Sequence, residues 1–563
     1  MTTAPSGPEL RLGGHLVVDA LVAHGVDMVF GVPGESYLAV LDGLHDTNSV
    51  RTVMCRHEGG AAMMAEAYGK LTGRPGVCMV TRGPGATNAS SGMHVGFQDS
   101  TPMVLLIGQV GRSMADREAF QEIDYRLMYG PLAKWVAQVE EAERLPEYIS
   151  RAFHTATAGR PGPVVLALPE DMLTSRVVAR PFDGYRAVEP HPGPDALREL
   201  HALLAGATAP LLMLGGGGWD REACTRIREF AEASDLPVCV SFRCQDYFDN
   251  RHPNYAGHVG IGAPPALREL VASADPLVVI GAALGEITTD SYSLLEVPRP
   301  RQRLVHVHPG AEMLGRVYQA DLAVNASPRA LAAALAGMGP IEGSTWADRT
   351  RRANLAYRDT LEPKPVPGPV QMGEIAAWLN ARLPENAIIC NGAGNYATWM
   401  HRYYQYRDYR TQLAPTSGSM GYGMPAAVAA KLVHPDRVVV SMNGDGCFMM
   451  HGQELATAMQ YGANIIAIVV NNAMFGTIRM HQEREYPGRV SATGLENPDF
   501  AALARAYGAH GEIVCETGEF APAFERALAA GRPGLIEIRL DPEAITPATS
   551  LSAIREAARA AGR

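Results

Sequence analysis

The feature that most constrains this chain is a rhythm: short apolar runs closed by Gly or Pro alternate with helically spaced stretches along nearly all of its 563 residues. In the first third, VDMVFGV (26–32), GVCMVTR (76–82), MVLLIGQV (103–110) and GPVVLALP (162–169) read as strands buried on both faces. Helical stretches such as Glu58–Leu71 lie between them. Strands that alternate with helices predict parallel sheets covered on both sides, an α/β fold of the doubly wound kind.

The rhythm restarts twice. A Pro- and Gly-rich stretch (179–196) separates the first block from a second, whose strands are PLLMLGGGG, LPVCVSF, PLVVIGA and RLVHVHP. Pro363–Pro369 separates the second from a third, with AIICNGAG, RVVVSMNGDG, ANIIAIVVNN and GLIEIRL. We expect three doubly wound parallel-sheet domains, at 1–178, 190–345 and 365–545, and a tail at 546–563 made of a loop and a helix. The first and third blocks share a Gly-rich turn directly after a strand, which suggests duplication.

Composition removes several classes. The net charge is −10, from 49 basic and 59 acidic residues, so nucleic acid is not an expected partner. No run approaches the ~18 apolar residues of a membrane span. Residues 1–10 lack the regions of a signal peptide and read as a frayed tail. The eight cysteines show no zinc spacing, and a chain this size needs no disulfide frame. A cytoplasmic location is expected.

The chemistry concentrates at Asn443-Gly444-Asp445-Gly446, which follows the strand RVVVSM. A strand, a Gly-rich turn and a helix aim backbone N–H groups at a phosphate. After 24 intervening residues come Asn471 and Asn472, at the end of the next strand. Consecutive parallel strands bring their carboxyl ends to one edge, so Asp445 and Asn472 should lie close together. A carboxylate and an amide oxygen beside a phosphate form a hard-oxygen magnesium site. Each motif alone would be an ordinary turn or strand-end cap; the ordered pair on one edge is far more specific.

This pairing resembles the fingerprint of thiamine-diphosphate enzymes, and the resemblance runs from FGVPGE (30–35) to the last strand. It is nearest to the acetolactate synthase-like branch, which includes carboligases, decarboxylases and lyases. The resemblance implies a pyrimidine-binding first domain, a central Rossmann-like domain and a diphosphate-binding third domain. It makes Asp445, Asn472 and the backbone carbonyl of Met474 the Mg2+ ligands. It makes Glu58, in Arg56-His57-Glu58-Gly59, the carboxylate that hydrogen-bonds the cofactor's pyrimidine and drives proton removal from C2 of the thiazolium. Met420, in Gly418-Ser419-Met420, would be the wedge that keeps the cofactor bent. Pro33, Gly394, Asn395, Tyr396, Gly444, Gly446, Cys447, Phe475, Gly476 and Thr477 complete the expected cofactor contacts.

On the substrate side the resemblance places Gly85, Phe120, Ile478 and His481, with Gln121 as an uncharged donor to a substrate oxygen. In the family, Glu58 and the metal site would come from different subunits, so a homodimer or a dimer of dimers (a homotetramer) is implied. Intact Glu58, Asp445 and Asn472 argue against a non-catalytic binding subunit.

The chain also departs from the biosynthetic acetolactate synthases. Asn395-Tyr396 replaces a Gln-His pair, and His481 stands where they carry Trp. Gly257-His258-Val259-Gly260-Ile261-Gly262 stands where they have the Gly-Met-His-Gly loop at their FAD, and Gly285-Glu286-Ile287-Thr288-Thr289 replaces an Asp-Asp-Arg turn. These changes weigh against FAD. The basic, aromatic run HRYYQYRDYR (401–410) and the arginines 299, 301 and 303 have two readings. They are either ordinary surface and subunit contact or a site for ADP or coenzyme A. The second would fit the oxalyl-CoA decarboxylases and 2-hydroxyacyl-CoA lyases of the same family. The substrate is thus a small 2-oxo acid such as pyruvate or, alternatively, an acyl-CoA. The tail 546–563 either folds over the site mouth or packs as a surface helix.

Overall fold

The structure, a computed structural model, describes residues 10–342 and 345–562. Residues 1–9, most of the expected frayed tail, lie outside the described residues. The chain divides into two compact units, one ending at Val188 and the other starting at Glu189. The break falls within the Pro- and Gly-rich stretch 179–196, whose end is already helical (Pro194–Ala205). The second Pro-rich stretch separates two sheets of one unit.

The first unit is built on a six-stranded parallel sheet. In spatial order its strands are Arg51–Met54, Met28–Gly31, Gly76–Val80, Met103–Gln109, Pro163–Pro169 and Trp135–Gln138. Its four central strands are buried throughout, as the apolar runs require. The helix Glu58–Thr72 follows one edge strand. It is opened by the His57 ring, which accepts from Gly59 N–H at 3.0 Å, and closed by Gly73 at φ +74°.

The second unit holds two more parallel sheets. The central one runs Tyr255–His258, Val238–Val240, Leu211–Leu214, Leu277–Ile280, Leu304–His308, Leu322–Asn325. In chain order that is 3-2-1-4-5-6, the dinucleotide-binding arrangement. The last sheet runs Gln412–Leu413, Ile388–Asn391, Val439–Gly444, Ile466–Asn471, Gly534–Arg539, His510–Val514. Its order, 2-1-3-4-6-5, is the same as that of the first unit's sheet. In the last sheet the order first reverses between Ile388–Asn391 and Val439–Gly444.

Within this unit the seam between the central and last sheets is polar and buried. Asp246 is 5% exposed and accepts the N–H groups of Thr411 and Gln412 at 3.0 and 3.2 Å. Asn250 exchanges both backbone-directed bonds with Tyr406. Burial pushes the Asp246 carboxyl up to about 6, against the pull of those amides. The native state therefore keeps a proton there that the unfolded chain releases near pH 4. Stability falls as pH rises through this window, by about 3 kcal/mol, and this group adds no dependence above it. Asp246→Asn keeps an acceptor and removes the titration. Its unfolding midpoint should gain on the wild type as pH is raised from about 4.5 to about 7, which thermal scans at both pH values would show.

The tail helix Leu551–Ala560 packs on the helix Gly476–Glu485. Arg555 grips the buried Glu483 carboxylate with two bonds, at 2.8 and 2.9 Å, and Arg479 reaches the same group at 2.6 Å. Among the described residues no helix is long and apolar enough to cross a membrane.

Candidate active site

The first reversal point of the last sheet opens a cavity of about 240 Å³. Three segments form its polar wall. The turn after Ile388–Asn391 supplies Gly394, Asn395 and Tyr396; the end of Val439–Gly444 supplies Gly444, Asp445, Gly446 and Cys447; and the segment after Ile466–Asn471 supplies Asn472, Met474, Phe475, Gly476, Thr477 and Ile478. Gly418 and Met420 line it as well. Ser419 and His481 do not. The Ser419 hydroxyl turns to the Met420 carbonyl at 3.3 Å, and His481 is exposed beside Arg484.

Backbone shape explains the glycines. A side chain at Gly444 would meet the Tyr396 ring at 2.7 Å, and one at Gly446 the Phe475 ring at 2.6 Å. Gly394 has φ +150° and would strike Tyr396 in the same way. Ala473 adopts φ +54°, an unusual state for a residue with a Cβ. It is pinned there because its carbonyl accepts from Leu495 N–H while Phe475 N–H donates to Thr493, each at 2.9 Å.

The polar groups are set rather than loose. Asp445 is 3% exposed; one carboxylate oxygen accepts from Gly446 N–H and the other from Asn497 Nδ2, both at 2.8 Å. Burial drives its carboxyl above the ordinary range, and these donors pull it back. Asn471 is consumed by the scaffold: it donates to the buried Glu537 at 2.9 Å and accepts from Asn497 at 3.0 Å. Asn472 is the asparagine that faces the cavity. A buried carboxylate, an amide and a strained loop beside the amino end of the helix Gly476–Glu485 fit a divalent cation bridged to a diphosphate. Trp399, Val470, Leu540, Ala544 and Ile545 give the cavity an apolar side. The sequence reading missed these, together with Asn497 and Glu537; only Asn497-Pro498 carried a turn signal.

In the first unit the candidate residues gather on loops at the carboxyl edge of its sheet. Pro33 is exposed after Met28–Gly31. Glu58 opens its helix after Arg51–Met54 and accepts from Asn88 Nδ2 at 3.0 Å. Gly85 leaves room beside the other Glu58 oxygen: a Cβ there would lie 3.3 Å from it. Gln121, at φ +66°, packs on Gly83, so Glu58 and Gln121 flank one Gly-Pro-Gly turn. Phe120 is 73% exposed.

The arginines that raised the coenzyme A reading each contact protein groups. Arg402 donates to the Gly262 carbonyl, Arg407 to those of Asn380 and Leu383, and Arg410 lies over the Tyr409 ring. Arg299, Arg301 and Arg303 pair with Asp321, Glu296 and Asp275. Nothing in this arrangement favours a thioester substrate.

Three parallel sheets, the last opening a cavity with one polar wall where its strand order first reverses, define an α/β fold whose site suits a diphosphate-bearing cofactor. Comparison with known proteins identifies that cofactor. Residues 11–128 match the N-terminal TPP binding domain of thiamine pyrophosphate enzymes, 197–335 their central domain and 392–538 their C-terminal TPP binding domain. The chain is 31% identical to the acetolactate synthase isozyme 2 large subunit of Escherichia coli, over 94% of this chain and 95% of that one. It is 30% identical to the probable acetolactate synthase large subunit of Methanocaldococcus jannaschii, over 95% and 93%. It is 32% identical to the acetolactate synthase of Mycobacterium bovis, over 90% and 84%. The chain belongs to the thiamine pyrophosphate enzymes, in their acetolactate synthase-like branch.

Proposed function

We propose that this protein is a magnesium-dependent carboligase of small 2-oxo acids such as pyruvate. The observation that carries the reading is the cavity in which Asp445, Asn472 and Met474 share one wall with the glycine turns. Thiamine diphosphate, when bound, supplies the electron sink for a bond made or broken beside a carbonyl. Asp445, Asn472 and the Met474 carbonyl would hold the cation, and the amino end of the helix Gly476–Glu485 would face the diphosphate. Met420 would press on the cofactor from the adjoining loop. Glu58, oriented by Asn88, would hold and return one proton at its free-side oxygen, and Gln121 would donate to a substrate oxygen. We place the two halves of the site on different protomers, so the smallest active form is a homodimer.

Purified protein given the cofactor, magnesium and pyruvate should release carbon dioxide and form acetolactate or acetoin. Formyl-CoA from a 2-hydroxyacyl-CoA, with nothing formed from pyruvate, would replace this reading. The preparation should be colourless, since the stretches 257–262 and 285–289 depart from the loop and turn that the resemblance assigns to FAD. A flavin absorption spectrum would reverse that.

A further inference from the structure

Arg243 belongs to the central sheet's edge, three residues beyond the strand Val238–Val240, yet it ends among the turns of the last sheet. It is 8% exposed and adopts φ +61°, a left-handed backbone that residues with a Cβ rarely take. Its guanidinium lies 4.9 Å from the centre of the Phe242 ring. One terminal nitrogen donates to the Gly392 carbonyl at 2.9 Å and the other to the Pro415 carbonyl.

Those two carbonyls are the roots of two cavity-lining turns. The Gly392 peptide is fixed at both ends. Its carbonyl also accepts from Asn391 Nδ2 at 2.8 Å, and its N–H donates to the Tyr396 hydroxyl at 3.1 Å. That hydroxyl in turn donates to the Cys447 thiol, which also accepts from Gly421 N–H, both at 3.1 Å. The Pro415 carbonyl accepts from Gly418 N–H at 3.1 Å and so closes the turn that presents Gly418 and Met420. Burial pushes the Tyr396 hydroxyl up, and the Arg243 charge opposes this. The charge is therefore felt at the cavity wall.

We infer that Arg243 is a positioning residue for the cofactor: a guanidinium from the central domain clamps the Gly392 and Pro415 turns and sets its fixed positive charge behind the wall that receives the diphosphate. Planar, two-pronged donation suits this role, and a lysine could serve only one carbonyl at a time. The inference rests on the reading that the cavity takes thiamine diphosphate.

The test is calorimetric titration of thiamine diphosphate, in magnesium and without substrate, into wild type, Arg243→Met and Arg243→Lys. Unfolding midpoints of the cofactor-free proteins are measured alongside. The expected result is a Kd raised about tenfold or more in Arg243→Met and by a smaller factor, at least about threefold, in Arg243→Lys. At saturating cofactor the KM for the 2-oxo acid should match wild type, because the substrate is not what Arg243 touches. If Arg243→Met does not fold, Arg243→Lys decides by the same threefold mark. A Kd within about threefold of wild type in every folded variant, whatever the midpoints do, overturns the inference alone. A wild type that takes up no cofactor removes the functional reading and this inference together.

Discussion

Replacing Glu58 by Gln should lower turnover by about 10²–10⁴-fold while thiamine diphosphate still binds with near wild-type affinity. Glutamine keeps the shape and the contact with Asn88 Nδ2 through its own oxygen, and loses only the ability to take and return a proton. The loss should therefore fall on kcat and leave cofactor uptake intact. Steady-state kinetics on saturated enzyme, beside a calorimetric titration, separates the two. Turnover undiminished in Glu58→Gln would remove the relay from the account. Loss of cofactor binding instead of turnover would recast Glu58 as an anchor.

The second large effect belongs to the other unit. Asp445→Ala should weaken thiamine diphosphate binding in magnesium by more than about 100-fold, since it removes the only charged oxygen proposed for the cation. It also strands Gly446 N–H and Asn497 Nδ2, each of which now bonds that carboxylate at 2.8 Å. Asn497→Ala leaves the carboxylate but frees its orientation, and should cost about tenfold. Titrations of both variants check the order: a deficit in Asn497→Ala equal to or larger than that in Asp445→Ala would contradict the assignment of Asp445 as the cation's ligand.

How much of this was readable in the chain depended on burial. Strands with both faces covered, such as Pro163–Pro169 and Ile466–Asn471, stand out as unbroken apolar runs. The edge strands Arg51–Met54, Trp135–Gln138 and His510–Val514 did not, because each is half-wet and carries polar residues or only partly buried ones. The helix expected after the Gly-rich turn is two helices, Asp445–His451 and Glu454–Tyr461, broken near Gly452. The polar wall of the cavity was legible because a reversal in strand order gathers loops that each carry a turn motif. Asn497 and Glu537 were not, since what they do is hold Asn471 and Asp445 still, and such partners have no spacing rule. The run 401–410 left two readings open, because arginine and tyrosine suit a nucleotide as well as they suit protein contacts, and spacing alone does not choose. Here Arg407 donates to carbonyls and Arg410 lies over the Tyr409 ring.

The most direct test of the account is a titration of the wild-type protein with thiamine diphosphate in magnesium and again in a chelator. Uptake should be saturable in magnesium and should collapse when the cation is removed. Equal uptake in both conditions, or none in either, would contradict a diphosphate held through a cation on Asp445, Asn472 and Met474.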